Sequence, residues 1–182
     1  MPDSRLRELL LERHPETPCS AVRAVAARVN RGPRLLELRY SIEGDIARLR
    51  LPPSAAPRVA EGLWRHTCCE LFIACEGRPG YREYNFSPSG EWAAHAFARY
   101  REAAPMLDQP LNPGIAVRKQ AQRLELSAGV ALEHAGKVAL GLAAVIEEQD
   151  GALSYWALRH PAGTPDFHHP EAFALALDEV RD

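Results

Sequence analysis

The feature that most constrains the fold is a stretch of alternating side chains between Leu63 and Arg101, which reads LWRHTCCELFIACEGRPGYREYNFSPSGEWAAHAFARYR. Successive side chains of an extended strand point to opposite faces, so such alternation is typical of a half-buried β-strand. Two short segments, GRPG at 77–80 and PSG at 88–90, carry the residues that tight turns prefer. The stretch therefore predicts three consecutive strands, over residues 67–75, 81–87 and 91–99.

The two faces of the first two predicted strands differ in chemistry. One face of the first strand carries Cys69, Leu71, Ile73 and Cys75, and the other carries Cys68, Glu70, Phe72 and Ala74. In the second strand Tyr81, Glu83, Asn85 and Ser87 oppose Arg82, Tyr84 and Phe86. We expect the apolar set Cys69, Leu71, Ile73 and Cys75 to pack in the core. If the two strands pair as a hairpin, Glu70, Glu83 and Asn85 share the opposite, polar face.

The rest of the chain indicates more strands than helices. Short β candidates follow one another with turn signals between them, at residues 20–29, 36–42, 46–51, 115–119, 123–130, 137–147, 153–158 and 171–177. Gly44 and Asp45 predict a hairpin between the second and third of these. The segment 1–15, with Leu6, Leu9 and Leu10, predicts a short N-terminal helix. The pattern favours a single domain over residues 1–182, an all-β antiparallel sandwich over residues 20–179 preceded by that helix.

Composition excludes several classes of function. The 182 residues carry a net charge of −2 without a long basic patch, which argues against nucleic acid as a partner. No apolar run is long enough to span a bilayer, and the N-terminus lacks the pattern of a secretory signal. We therefore expect a cytoplasmic protein, in which the four cysteines are reduced thiols rather than disulfides.

The polar face suits a small ligand rich in hydroxyl groups. Carboxylate and amide groups bond hydroxyls, and an indole stacks on the C–H surface of a sugar ring. Glu70 and Asn85 supply the polar groups, and Trp64, Arg65 and Trp92 could border them. The alternative is an ordinary solvated face with cross-strand ion pairs and with the tryptophans in the core.

Other chemistries stay open at this point. Glu70 with Glu83 or Glu91 could form the carboxylate pair of a glycoside hydrolase. A metal or hydrolytic site could gather from His66, His160, Asp166 and His168, although the spacing matches no established metal motif. The cysteines lie in an apolar strand and are expected to be inert. An exposed sheet face or strand edge could instead bind a protein.

Five motifs carry a resemblance to a known group. They are LWRHTCCELFIA, YREYNFSPSGEWAAHAFARYR, GLAAVIE, SYWALRHP and PDFHHPEAF. From about residue 20 onward the sequence resembles the bacterial DOMON-like proteins, which are related to the family 9 carbohydrate-binding modules and to sugar- or haem-binding DOMON domains. The resemblance implies a β-sandwich of the jelly-roll type that binds a small ligand.

The resemblance also suggests how a ligand would be held. Family 9 modules place a sugar between two tryptophans, and the indoles here are Trp64, Trp92 and Trp156. Haem-binding DOMON domains use a methionine and a histidine, for which this chain offers Met106 in a proline-flanked loop. We expect a non-catalytic domain with no cofactor or metal that binds a carbohydrate-like small molecule through Trp64, Arg65, Glu70, Asn85, Trp92 and Trp156.

Overall fold

The computed structural model describes residues 8–107, 110–133 and 136–180. These residues form twelve β-strands and three 3₁₀ helices, and every pairing between these strands is antiparallel. The first six strands are β1 (Glu8–Arg13), β2 (Val22–Arg31), β3 (Leu35–Gly44), β4 (Cys68–Cys75), β5 (Tyr81–Phe86) and β6 (Trp92–Arg99). The last six are β7 (Glu102–Ala104), β8 (Ala116–Lys119), β9 (Arg123–Ala131), β10 (Val138–Glu147), β11 (Leu153–Ala157) and β12 (Leu175–Leu177). The all-β prediction is confirmed.

The strands fall into two sets that β1 connects. One set follows the order β7-β6-β5-β4-β10-β11, with β12 added alongside β10, and the other follows β1-β2-β3-β9-β8. The first four residues of β1 pair with β2, and its last two, Glu12 and Arg13, pair with β11. A single strand therefore belongs to both sets, which brings them together around one core.

The core contains apolar side chains from both sets. Alternate residues of β3 are almost completely buried, namely Leu36, Leu38, Tyr40 and Ile42. From the other set Cys69, Leu71 and Ile73 of β4 join the same cluster. The predicted core face of β4 is confirmed, because alternation in a strand fixes which side chains share a face.

The predicted N-terminal helix is wrong. Residues 8–13 form β1, while residues 1–7 lie outside the described part of the chain. Leu11 is buried opposite Val25, whereas Leu10 is 69% exposed, so a strand alternation replaces the expected helical stripe. Backbone pairing with β2 and β11 outweighs local preference, because so short a helix is only marginally stable in water.

The predicted hairpin around Gly44 and Asp45 is also wrong. Residues Ile46–Arg48 form a 3₁₀ helix, whose first turn is capped by the Asp45 side chain accepting from the Ala47 amide at 3.2 Å. Both edges of β3 are occupied, by β2 on one side and β9 on the other. No edge of β3 is left for a returning strand.

The closing strand is shorter than predicted. Residues Pro170–Ala172 form a 3₁₀ helix, and only Leu175–Leu177 pair, with β10. The segment 159–174 instead lies over the outer face of β4, β10 and β11. Phe167 anchors it there, packed with Phe72 of β4, Val145 of β10 and Ala157 of β11.

Candidate functional site

The site begins with the register of three neighbouring strands. Glu70 of β4 lies opposite Asn85 of β5, and Glu83 of β5 lies opposite His95 of β6. The alternation then brings Phe97 of β6 to the same face. The polar face predicted from Glu70, Glu83 and Asn85 therefore exists, and β6 extends it.

The segment 159–174 turns this face into a pocket of about 550 Å³. The sheet contributes Glu70, Glu83, His95, Phe97, Val145 and Tyr155 to its lining. The surrounding loops contribute Trp64, Arg101, Pro165, Phe167 and His168. Its size lies within the range of roughly 300–1,000 Å³ that is usual for small-molecule sites.

Glu70 is the most unusual side chain of the pocket. It is 3% exposed, and among the described residues no hydrogen bond or ion pair reaches its carboxyl group. Burial, together with the neighbouring charge of Glu83, raises its pKa well above the ordinary value. A buried polar group is costly when it has no partner, so this carboxyl group is open to a ligand.

Glu83 is held from two sides. One carboxyl oxygen accepts a hydrogen bond from the Asn85 amide nitrogen at 2.7 Å, and the other lies 3.5 Å from Nε2 of His168. Asn85 is fully buried below the pocket. Burial raises the pKa of Glu83, while the Asn85 hydrogen bond and the charges of His95 and Arg101 act in the opposite direction.

His168 connects the sheet to the covering segment. Its Nδ1 lies 2.8 Å from the Tyr81 hydroxyl group, which itself accepts from the Arg101 backbone amide at 3.1 Å. The hydroxyl proton is therefore free to point at Nδ1, which leaves the Nε2–H facing Glu83. Burial and the nearby Arg101 charge lower the pKa of His168 to about 4, so the ring is neutral at neutral pH.

Arg101 lies at the rim in a strained backbone conformation. Its φ is 54°, in the left-handed region that residues other than glycine seldom adopt. The side chain bonds Asp166 at 2.8 Å, and the Tyr100 hydroxyl group donates to the same carboxylate at 2.5 Å. Burial alone would raise the pKa of Asp166, but the hydrogen bonds from Tyr100 and Arg101 outweigh it and lower that pKa. Through these two bonds to Asp166, the turn at Tyr100 and Arg101 holds the covering segment beside the pocket.

The six residues predicted to bind a ligand are not all brought together. Trp64 is 51% exposed and, like Glu70, lines the pocket, while Asn85 supports Glu83 from below. Arg65 is exposed and stacks its guanidinium group 5.1 Å from the centre of the Trp64 ring. Trp92 pairs with the core residue Phe86 across the β5–β6 ladder, and Trp156 packs in the main core. Each of these two indoles is 5% exposed and faces away from the pocket.

The four candidate metal ligands are also dispersed. His66 lies 2.7 Å from Glu147, and Nε2 of His160 lies 2.8 Å from the Glu12 carbonyl oxygen. Only Asp166 and His168 are close together, and the Asp166 carboxylate accepts from the His168 backbone amide at 3.1 Å. In the described part of the chain, no group of three or more His, Cys, Asp or Glu side chains is placed to hold a metal ion.

Several pocket residues were not among those predicted to bind a ligand. His95 and Phe97 could have been placed by continuing the strand alternation from β5 into β6. Phe167 and Arg101 carry no such signal, because their positions depend on a long loop and on one tight turn. Tyr155 reaches the pocket only because β11 pairs with β10.

A second depression, of about 390 Å³, lies on the outer face of β2, β3 and β9. Two of its exposed polar side chains pair with each other, because the Asn30 amide donates to Glu37 at 2.8 Å. Among the described residues that line this depression no polar side chain is buried, so the Glu70 pocket is the stronger candidate. No helix of the described residues has the length and apolar character needed to cross a membrane.

Comparison with known proteins finds similarity in structure but not in sequence. No protein-family model matches the chain, and no curated protein matches it. A proposed carbohydrate-binding protein from Bacteroides uniformis superposes with a TM-score of 0.61 at 14% identity, over 91% of this chain and 83% of that one. A family 9 carbohydrate-binding module from Caldicellulosiruptor kristjanssonii, in complex with cellotriose, gives a TM-score of 0.60 at 9% identity, over 87% and 75% of the two chains.

A second structure of such a module from the same organism, in complex with glucose, gives a TM-score of 0.56 at 8% identity, over 84% of this chain and 76% of that one. The three likenesses show that this chain shares the fold of carbohydrate-binding modules.

Proposed function

We propose that the Glu70 pocket binds a small carbohydrate without catalysing a reaction on it. The observation that carries this proposal is Glu70 itself, a buried carboxyl group that lines the pocket and has no partner among the described residues. A ring hydroxyl group would supply the missing hydrogen-bond partner. The structural neighbours that hold cellotriose and glucose support the choice of a sugar.

The aromatic side chains complete the proposed binding mode. Trp64 is exposed at the pocket. Because the Arg65 guanidinium group covers one face of its indole, the other face is the one offered to a ligand. Phe97, Tyr155 and Phe167 provide apolar walls for the C–H surface of a sugar ring. In this proposal one tryptophan stacks on the ligand, and Trp92 and Trp156 contribute to stability rather than to contact.

The β-sandwich architecture expected from the sequence is part of this proposal. We infer that the two sets of strands are the two sheets of a β-sandwich, with the ligand on the outer face of the β4-containing set. The DOMON-like relationship and the cytoplasmic location stay predictions. Binding without turnover separates this proposal from the glycoside hydrolase alternative, which would use Glu70 and Glu83 as its carboxylate pair.

The test is calorimetric titration of the whole protein with glucose and cellotriose, for wild type, Trp64→Ala and Val117→Ala. We expect Trp64→Ala to weaken binding by about tenfold, which corresponds to about 1.4 kcal/mol of lost stacking. Val117 is also exposed but lies on β8, so its substitution should leave affinity unchanged. Absence of binding to wild type, or equal affinity in Trp64→Ala, would overturn the proposal, and recovery of cleaved cellotriose would favour the hydrolase.

A further inference from the structure

We propose that the preferred ligand of the Glu70 pocket carries a protonated amine, so that an amino sugar binds more tightly than the corresponding neutral sugar. This inference rests on the proposed function and narrows it to a class of carbohydrate. It follows from the two carboxyl groups of the pocket, from its aromatic walls and from the basic side chains, which have partners other than Glu70.

The two carboxylates of the pocket form an incomplete acidic site. Glu70 of β4 pairs with Asn85 of β5, and Glu83 of β5 pairs with Phe72 of β4, so the two glutamates lie on the same face of adjacent strands, two pairs apart in the ladder. Side chains at such diagonal positions remain within reach of each other. One carboxyl oxygen of Glu83 accepts from Asn85, whereas Glu70 is only 3% exposed and its carboxyl group has no partner among the described residues.

The basic side chains of the pocket do not complete this site. Arg101 is held by Asp166 at 2.8 Å, which balances its charge at the rim. His168 directs its Nδ1 to Tyr81 and faces Glu83 rather than Glu70. His95 lies opposite Glu83 in the β5–β6 ladder. The titratable groups that line the pocket together with Glu70 are Glu83, His95, Arg101, Tyr155 and His168. The buried thiol groups of Cys68 and Cys69 lie next to Glu70 on its own strand.

A ligand ammonium group satisfies Glu70 better than a hydroxyl group does. Both donate a hydrogen bond, but only the ammonium also neutralises a buried negative charge. The aromatic walls favour the same ligand, since the faces of Trp64, Phe97 and Tyr155 attract a cation through their ring electrons. Carboxylates and aromatic rings in one small pocket are together the chemistry of amine recognition.

Binding of an amine should be coupled to the protonation of Glu70. Burial and Glu83 raise the pKa of Glu70 in the free protein, which favours the protonated acid. An ammonium bound beside it favours the carboxylate, so amine binding should release a proton from Glu70. A neutral sugar accepts or donates a hydrogen bond without requiring that release.

The experiment compares glucosamine, glucose and N-acetylglucosamine by calorimetry on the whole protein in buffers of different ionisation enthalpy. We expect glucosamine to bind at least about tenfold more tightly than the two neutral sugars, with proton release for glucosamine alone. Glu70→Gln should abolish this preference while retaining the neutral sugars. Glu76→Gln, at an exposed position just after β4, is the matched control and should keep it.

Each outcome separates the two proposals. Equal affinity for glucosamine and glucose in wild type overturns the amine inference and leaves carbohydrate binding intact. Retained preference in Glu70→Gln overturns the assignment to Glu70. Failure of all three sugars to bind overturns the amine inference together with the proposed function. The proton-release measurement uses wild type, so the inference stays testable if Glu70→Gln fails to fold.

Discussion

Two titratable side chains of the pocket respond to burial in opposite directions. The pKa of Glu70 is raised because burial penalises its carboxylate, and the pKa of His168 is lowered to about 4 because burial penalises its imidazolium. Both groups therefore favour their neutral forms in the free protein. A charged ligand bound beside either group would shift this equilibrium.

His168 should make the protein less stable in mild acid. Since its pKa is lower in the folded protein than the ordinary 6.5, the unfolded chain binds this proton first as the pH falls. The stabilisation is fully present above about pH 6.5 and is lost progressively toward pH 4. The lowering of the His168 pKa corresponds to a loss of at most about 3 kcal/mol of unfolding free energy over that interval.

The check is a series of urea unfolding curves between pH 7 and pH 4.5 for wild type, His168→Asn and His169→Asn. We expect His168→Asn to flatten the loss of unfolding free energy with acid, because the replaced ring no longer titrates. His169 caps the 3₁₀ helix by accepting from the Glu171 amide at 3.2 Å, a role that Asn also fills. Its variant should follow the wild-type slope, and an unchanged slope in His168→Asn would contradict the assignment.

At the scale of elements, the turn between β4 and β5 controls how β5 meets β6. Gly77 and Gly80 both have positive φ, of 73° and 78°, so each suits the left-handed conformation that the turn requires. They differ in their surroundings. A Cβ at Gly80 would overlap the carbonyl oxygen of Phe97 in β6, whereas a Cβ at Gly77 would meet nothing within 4 Å.

This difference predicts unequal effects for the same substitution. Gly77→Ala should lower the unfolding free energy by about 1–2 kcal/mol, because a residue with a side chain is disfavoured in the left-handed backbone conformation. Gly80→Ala should cost at least about 1 kcal/mol more, because the added methyl group pushes β5 away from β6. It should also weaken sugar binding, since Phe97 lines the pocket. Denaturant midpoints and calorimetry of both variants provide the comparison, and equal midpoints would contradict it.

At the scale of the whole molecule, one buried hydrogen bond links the two sets of strands at the site. The Tyr40 hydroxyl group of β3 donates to the backbone carbonyl oxygen of Glu70 in β4 at 2.6 Å. Tyr40 is completely buried, and burial raises the pKa of its hydroxyl group well above the ordinary value, so it remains a donor. The core therefore holds the backbone of the residue that carries the proposed function.

Tyr40→Phe should lower the free energy of unfolding by about 1–2 kcal/mol, because the hydrogen bond is lost without creating a large cavity. Tyr155→Phe is the matched control, since among the described residues no hydrogen bond is made by the Tyr155 hydroxyl group. Its effect on unfolding free energy should be within about 0.5 kcal/mol. Urea denaturation of the two variants tests this, and equal losses would show that the Tyr40 bond contributes nothing.

Local pattern determined much of the β4–β5 region. The alternation of Cys69, Leu71 and Ile73 with Glu70 and Phe72 was enough to assign their faces, because side-chain direction in a strand has a period of two. The same rule placed Glu83 and Asn85 beside Glu70. Continued through β6, it would also have placed His95 in the pocket and Trp92 on the core side, since Trp92 pairs with Phe86.

Only the tertiary structure decided the remaining features, because they depend on contacts between residues far apart in the sequence. The segment 8–13 became a strand through pairing with β2 and β11, against its local helical pattern. Occupation of both edges of β3 excluded the expected hairpin. The sequence by itself determined an all-β chain with an acidic, aromatic face. The packing of Phe167 and the strained turn at Arg101 determined that this face is closed into a pocket, because no periodicity encodes where a long loop settles.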